Sequence, residues 1–246
     1  MGQPHLGRME TFIILCVFVV AGTVKGLSGL GLPTVGIAVL GVFLAPAEAA
    51  ALVVVPAFLT NVWQALRGGQ LVCLLRRLWP LLAGIVIGTA FGGQWRVDPQ
   101  VARLILAEAL MLYAMLGLLD VVAFVPPRWE AWLALPMGLM TGGLTALTGV
   151  FVLPSVPYLQ ALRLPPTQMV QALGICFTLS SASLAVLLGS QGETAVSQWG
   201  LSLAATLPAL GGMMLGAWFR QRVPAKIFRR LLFVFLFGIG VHLLLK

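Results

Sequence analysis

Apolar residues run along this chain in long blocks, without the strict alternation of a strand or the spaced stripe of a surface helix. Blocks at 47–66, 78–95, 101–119, 167–188, 198–219 and 229–245 each approach the ~20 residues that cross a hydrocarbon core as an α-helix, and they predict six membrane spans. Two further apolar regions, 11–44 and 131–162, are interrupted by glycine and proline. In the first, "GTVKGLSGLGLPTVG" (22–36) separates an apolar run at 11–24 from another at 35–44. As helices these runs would be ~21 and ~15 Å long, short of a ~30 Å core. Gly26, Gly29, Gly31 and Pro33 predict the break between them. A broken helix frees backbone N–H and C=O groups that lipid cannot satisfy, so the segment is expected to line a cavity.

The pattern occurs twice. A displacement of 120 positions sets "GTVKGLSGLG" (22–31) over "GGLTALTGVF" (142–151), Pro46 over Pro166 and Leu59 over Leu179. With a few residues inserted, "GIVIGTAF" (84–91) resembles "GMMLGAWF" (212–219), and "RVDPQVARLI" (96–105) resembles "RVPAKIFRRL" (222–231). Four stretches in the same order point to a duplication, a common design of secondary transporters with the binding site where the units meet. The expected architecture is an all-α polytopic membrane protein of two repeats. Residues 1–120 hold the hairpin 11–44 and spans 47–66, 78–95 and 101–119; residues 121–246 hold the hairpin 131–162 and spans 167–188, 198–219 and 229–245.

Basic residues decide between hairpins and crossings. If 11–44 and 131–162 both return to their starting side, one face collects Arg67, Arg76, Arg77, Arg128, Arg163, Arg220, Arg222, Lys226, Arg229 and Arg230, leaving Arg8, Arg96, Arg103 and Lys246 opposite. If each crosses instead, the division is nearly even. The positive-inside tendency favours the hairpins. Each unit then has an odd number of spans, which inverts one relative to the other and predicts both termini outside the cytoplasm of a bacterial inner membrane.

Composition removes other classes. The chain is 60% hydrophobic and 9% charged, with a mean hydropathy of +1.02, far outside the soluble range. Its net charge of +8 lies in short connections, which reads as topology and not as nucleic-acid binding. Cys16, Cys73 and Cys176 are widely spaced and read as packing residues; His5 and His242 sit at opposite ends, so no metal, haem or other cofactor is expected. An intramembrane enzyme lacks its nucleophile–base pair. "GLSGLG" has neither a preceding strand nor the order of a nucleotide loop. Arg8 before "TFIILCVFVVAG" has the form of a cleavable leader, but cleavage would delete half of a repeat unit.

At "GTVKGLSGLGLP" and its weaker copy "GGLTALTGVFVLP" the chain resembles the sulfite exporter TauE/SafE family, also called TSUP. Gly22, Gly26, Gly29, Gly31 and Pro33 match the family's glycine-rich opening; the second copy keeps Gly142, Gly149 and Pro154 but has Ala146 and Phe151 in place of glycines. The resemblance implies a secondary transporter, working outward, of small anions such as sulfite, sulfoacetate or related organosulfonates. An anion channel and a non-transporting assembly subunit are the alternatives, and self-association is left open.

The leading candidate for anion binding is Lys25, an ionisable group deep in an apolar region, beside the N-terminus of the half-helix that begins near Pro33. The bland alternative is a lysine that snorkels to an interface. The breaks also offer Gly26, Ser28, Gly29, Gly31, Thr145, Thr148 and Gly149, where the hydroxyls would either meet substrate oxygens or satisfy freed carbonyls. Thr60, Asn61 and Gln64 share one helical face, with Ser180 and Ser181 in the equivalent turn of the second unit. They read as cavity lining or as interhelical hydrogen bonds. Glu108 is a candidate for proton coupling, weighed against pairing with Arg103. Gln168 and Gln171, at the start of their span, are explained by interface exposure. Gly84, Gly88 and Gly92, and Gly212 and Gly216, predict close helix contacts.

Overall fold

The computed structural model describes residues 8–95, 97–120, 123–191, 196–220, 222 and 224–246. Among them the regular elements are α1 (Arg8–Ser28), α2 (Leu32–Leu40), α3 (Pro46–Leu66), α4 (Leu71–Gly92), α5 (Pro99–Leu118), α6 (Pro127–Thr148), α7 (Ser155–Ala161), α8 (Pro166–Ser190), α9 (Val196–Phe219) and α10 (Ala225–Leu245). All except α2 and α7 are long and apolar enough to cross a membrane. The protein is an all-helical polytopic membrane protein.

That makes eight span-length helices among the described residues, against six expected. The difference lies in the first arms of the two interrupted regions. α1 has 21 residues and α6 has 22, which gives ~31–33 Å at 1.5 Å per residue, enough for a full crossing. Gly26 does not break α1. Glycine keeps its N–H and stays helical where a neighbouring backbone needs the space, and a Cβ on Gly26 would lie 2.8 Å from Ala217 N on α9. The expected span 78–95 likewise begins earlier, at Leu71. α4 carries Arg77 because Glu130 on α6 receives its guanidinium in a two-pronged contact, Nε to Oε1 at 2.6 Å and Nη2 to Oε2 at 2.9 Å.

Helix starts follow local chemistry. α2, α3, α5, α6 and α8 each have proline in the first turn, where its missing N–H leaves nothing unsatisfied. Glu48 Oε2 accepts from Ala45 N at 3.2 Å, and Asp98 Oδ1 accepts from Gln100 N at 2.8 Å, so both carboxylates cap helices.

The strongest packing pairs are α1 with α9, α4 with α6, α3 with α8 and α5 with α10. Exchanging α1–α5 for α6–α10 exchanges the first two pairs and returns the last two to themselves. The close contacts also give directions. Gly22 meets Ala209 while Gly26 meets Met213 and Ala217, so α1 and α9 run the same way. Gly84 meets Leu135 while Gly92 meets Gly143 and Ala146, so α4 and α6 do too. The end of α3 meets the start of α8 at Ala65 and Gly174, whereas its start shares a small void with Leu184 and Leu188. α3 and α8 are therefore antiparallel, as are α5 and α10, which touch at Met111 with Gly240 and at Gly117 with Phe233. α1 and α3 share a direction, so residues 29–45 must turn back between them.

These directions gather Arg67, Arg76, Arg77, Arg128, Arg163, Arg220, Arg222, Lys226, Arg229 and Arg230 at the end where α3 finishes, hereafter the basic end. Arg8, Arg103 and Lys246 lie at the other end; Arg96 is outside the described residues. The centre belongs to α3 and α8, with 67% and 56% of their spanning windows buried against 22% for α10. A proline inside α3, Pro56, deprives the Leu52 carbonyl of its helical donor, and Ser202 Oγ on α9 replaces it at 2.7 Å. Of the cysteines only Cys176 is a buried packing residue; Cys16 and Cys73 are exposed.

Candidate functional site

α1 and α6 stop in the same way. Gly29 and Gly149 both have φ of 74°, a left-handed conformation that favours glycine, and their N–H groups donate to Lys25 O at 2.7 Å and Thr145 O at 2.8 Å. The two breaks fall 120 positions apart, at the displacement found in the sequence. They then diverge, because Lys25 in one stands where Thr145 does in the other.

Lys25 lies in the last turn of α1 and is 3% exposed. Its Nζ donates to Thr60 Oγ1 at 3.1 Å and to Asn61 Oδ1. Thr60 uses its own proton on Pro56 O at 2.7 Å and so offers the lysine a lone pair. An ammonium has three protons, and these two acceptors leave one over. Both are neutral, and the ion pairs among the described residues lie elsewhere, at Arg77–Glu130 and Arg229–Asp120. A proton on Lys25 would therefore place a positive charge inside the protein with no anion beside it among the described residues. Several kcal/mol of desolvation per buried ion make that arrangement costly unless an anion joins it.

One unused donor lies beside the lysine, and two more are buried on α8 and α2. With its oxygen turned to Lys25, Asn61 presents a buried Nδ2 that has no partner. Ser180 Oγ on α8 and Thr34 Oγ1 in the first turn of α2 are also buried without partners. α2 and α3 are joined through 41–45 and meet again at Gly36 and Val53, which sets the start of α2 level with about residue 57 of α3, one turn from Thr60. That start carries Gly31 at φ 106°, and Pro33 has no N–H, so Leu32 and Thr34 contribute the free N–H groups of the first turn. The Lys25 amine and the Asn61 NH₂, with the start of α2 about one turn away along α3, are groups suited to an oxyanion.

The remaining predicted residues divide. Gly26 serves the α1–α9 contact, and Ser28 is exposed, its Oγ bonded to Val24 O at 2.8 Å and Leu30 O at 2.7 Å, so it caps the break. Thr145 and Thr148 are buried but return their hydroxyls to Thr141 O and Leu144 O, both at 2.7 Å. Ser181 does the same with Phe177 O at 2.7 Å. The second break is thus satisfied by its own chain, and Gly149 packs against Ala50 and Ile37. Gln64 spends its amide on Val170 O at 2.8 Å. Glu108 is exposed on α5, and no ion pair joins it to Arg103, whose Nε is buried without a partner. Sequence reasoning missed Thr34, which the helix start after Pro33 signals. It also misplaced Gln171, which is fully buried and not at an exposed interface: its amide donates to Ala65 O at 2.8 Å.

Among the described residues, eight span-length helices with apolar outer faces, two glycine-ended breaks and a buried lysine in the first of them define a polytopic integral membrane protein of the transporter class. The chain matches the family described as Sulfite exporter TauE/SafE over residues 14–243. It belongs to that family, one of membrane anion exporters. No curated protein and no solved structure matches it.

Proposed function

We propose that this protein exports small oxyanions, sulfite or organosulfonates such as sulfoacetate, by alternating access of two inverted halves around Lys25. The observation that carries the proposal is the buried Lys25 amine, with neutral partners only and the unused amide protons of Asn61 beside it. An anion there would neutralise the charge and accept those protons. Inversion is supported by the antiparallel course of α3 and α8, and of α5 and α10, the two pairs whose members exchange when the halves are swapped.

The basic end is the cytoplasmic one in this reading, by the positive-inside tendency, and α1 then starts outside. Export of an anion is downhill in an inside-negative cell by about 2.3 kcal/mol per charge per 100 mV, so no coupling ion is required. Glu108 has no part in it. The test is flux of labelled sulfite and sulfoacetate from proteoliposomes under an imposed potential. Lys25→Met leaves an unbranched side chain one atom shorter and removes the amine, and it is expected to reduce flux at least tenfold. Undiminished potential-driven flux through Lys25→Met would end the proposal.

A further inference from the structure

Lys25 is sealed, yet an open depression of ≈580 Å³ lies close by at the basic end, lined by Leu66, Gly69, Gln70, Arg76 and Gln171 among others. Between the two stands the meeting of α3 and α8. Gln64 follows Thr60 and Asn61 by one helical turn toward the basic end, and each helix there reaches across to the other's backbone. Gln64 Nε2 donates to Val170 O at 2.8 Å, and Gln171 Nε2 donates to Ala65 O at 2.8 Å. Gln171 Oε1 also accepts from Gln70 N at 3.1 Å, which ties the α3–α4 turn to the same seam. Gly174 keeps the helices close, since a Cβ there would lie 2.6 Å from Ala65 N.

We propose that Gln64 and Gln171 form the gate between the basic-end depression and the Lys25 site, and that their parting admits the anion. Val170 O lies inside α8 and keeps its own helical donor, whereas Ala65 is next to last in α3 and its carbonyl has no helical donor. The Gln171 amide therefore caps the end of α3, and parting exposes one carbonyl to the open depression. The freed amides would turn toward the open depression, where water takes over their hydrogen bonds. At the far end, the void of ≈30 Å³ between the start of α3 and the end of α8 is bordered by Pro46, Ala47, Ala50, Leu184 and Leu188. Among the described residues no side-chain hydrogen bond joins α3 and α8 there. The latch is thus specific to one end. As a route to Lys25, the gate rests on the anion-site reading above.

The test replaces Cys16, Cys73 and Cys176 with Ser, Ser and Ala, and adds Asn61→Cys as a reporter inside the gate. Its labelling by a charged, membrane-impermeant thiosulfonate is timed in the purified full-length protein. Adding Gln64→Ala with Gln171→Ala is expected to speed labelling about tenfold, the effect of two lost neutral hydrogen bonds on an opening equilibrium. An unchanged rate overturns the gate.

A second measurement covers a variant that folds poorly. A Cβ on Gly68 would lie 3.3 Å from Gln171 Cβ, just under disulfide separation, so Gly68→Cys with Gln171→Cys is tested for closure by oxidation, free-thiol titration first confirming that the bond forms from a cysteine at φ 138°. Oxidation should stop sulfite flux and reductant restore it; flux that survives oxidation overturns the gate. Faster labelling combined with undiminished flux through Lys25→Met would keep the gate and remove the anion site, which separates the two failures.

Discussion

Gly142 and Gly143 are neighbours on α6, and the structure gives them opposite tolerances. A Cβ on Gly142 would lie 2.5 Å from Thr89 N and 2.9 Å from Gly88 C, and nearer still to Ile85 O, all backbone atoms of α4. A Cβ on Gly143 would find its nearest neighbour, Gly88 O, at 4.0 Å. Ordinary carbon contacts fall at ~3.5–4.0 Å, so Gly142→Ala must push α4 and α6 apart by about 1 Å along a tightly packed pair. Backbone cannot rotate out of the way as a side chain does. Overpacking of this kind typically costs ~1–3 kcal/mol. At ~2–4 °C per kcal/mol for a chain of this size, Gly142→Ala should lower the melting temperature by roughly 2–12 °C. Gly143→Ala should leave it unchanged. The same contrast is expected on α9, where Gly212 touches Val19 and Thr23 of α1 while Gly211 has nothing within 4 Å. Thermal unfolding of the detergent-purified variants, followed by retention of the monodisperse peak, measures it. If Gly143→Ala proves as damaging as Gly142→Ala, the close contact of α4 with α6 is refuted as the reason for the glycine.

Two further outcomes follow from single polar contacts. Asn61→Asp places a carboxylate against the Lys25 ammonium, and an internal pair should then displace the substrate: sulfite-induced thermal stabilisation disappears while the melting temperature of the free protein holds or rises. A variant still stabilised by sulfite counts against the anion site. Ser202→Ala removes the donor to Leu52 O and should cost ~1–3 kcal/mol, but much less in a Pro56→Ala background, where the residue at 56 again supplies the helical N–H. Equal losses in the two backgrounds would mean that Ser202 acts through something other than that carbonyl.

Much of this was legible before the fold. Membrane character, helix class and the two glycine-rich interruptions come from long apolar runs and from residues whose backbone preferences are local. Lys25 stood out because an ionisable side chain in an apolar run needs a reason to be there. Thr60, Asn61 and Gln64 fell on one face by helical period alone, and all three are buried. The helix lengths were less legible. Gly26 reads as a breaker by propensity, but whether a glycine ends a helix or seats a neighbour depends on what lies 3 Å away, and that neighbour, α9, is almost two hundred residues distant along the chain.

Chain chemistry alone settled that the protein lives in a bilayer, that it carries a similar broken segment twice, and which residues hold unusual polarity at depth. Those properties depend on neighbours within a few turns. Folding decided which polar groups remain free. Thr145, Thr148 and Ser181 resemble Ser180 and Thr34 in sequence, yet the first three return their protons to their own helices and the last two do not. Asn61 turns its oxygen to a lysine from another helix and its Nδ2 meets no acceptor where it then points, and Gln171 is buried because α3 covers it. A hydrogen bond is decided within about 3 Å, and only three-dimensional packing brings groups so far apart in sequence to that distance.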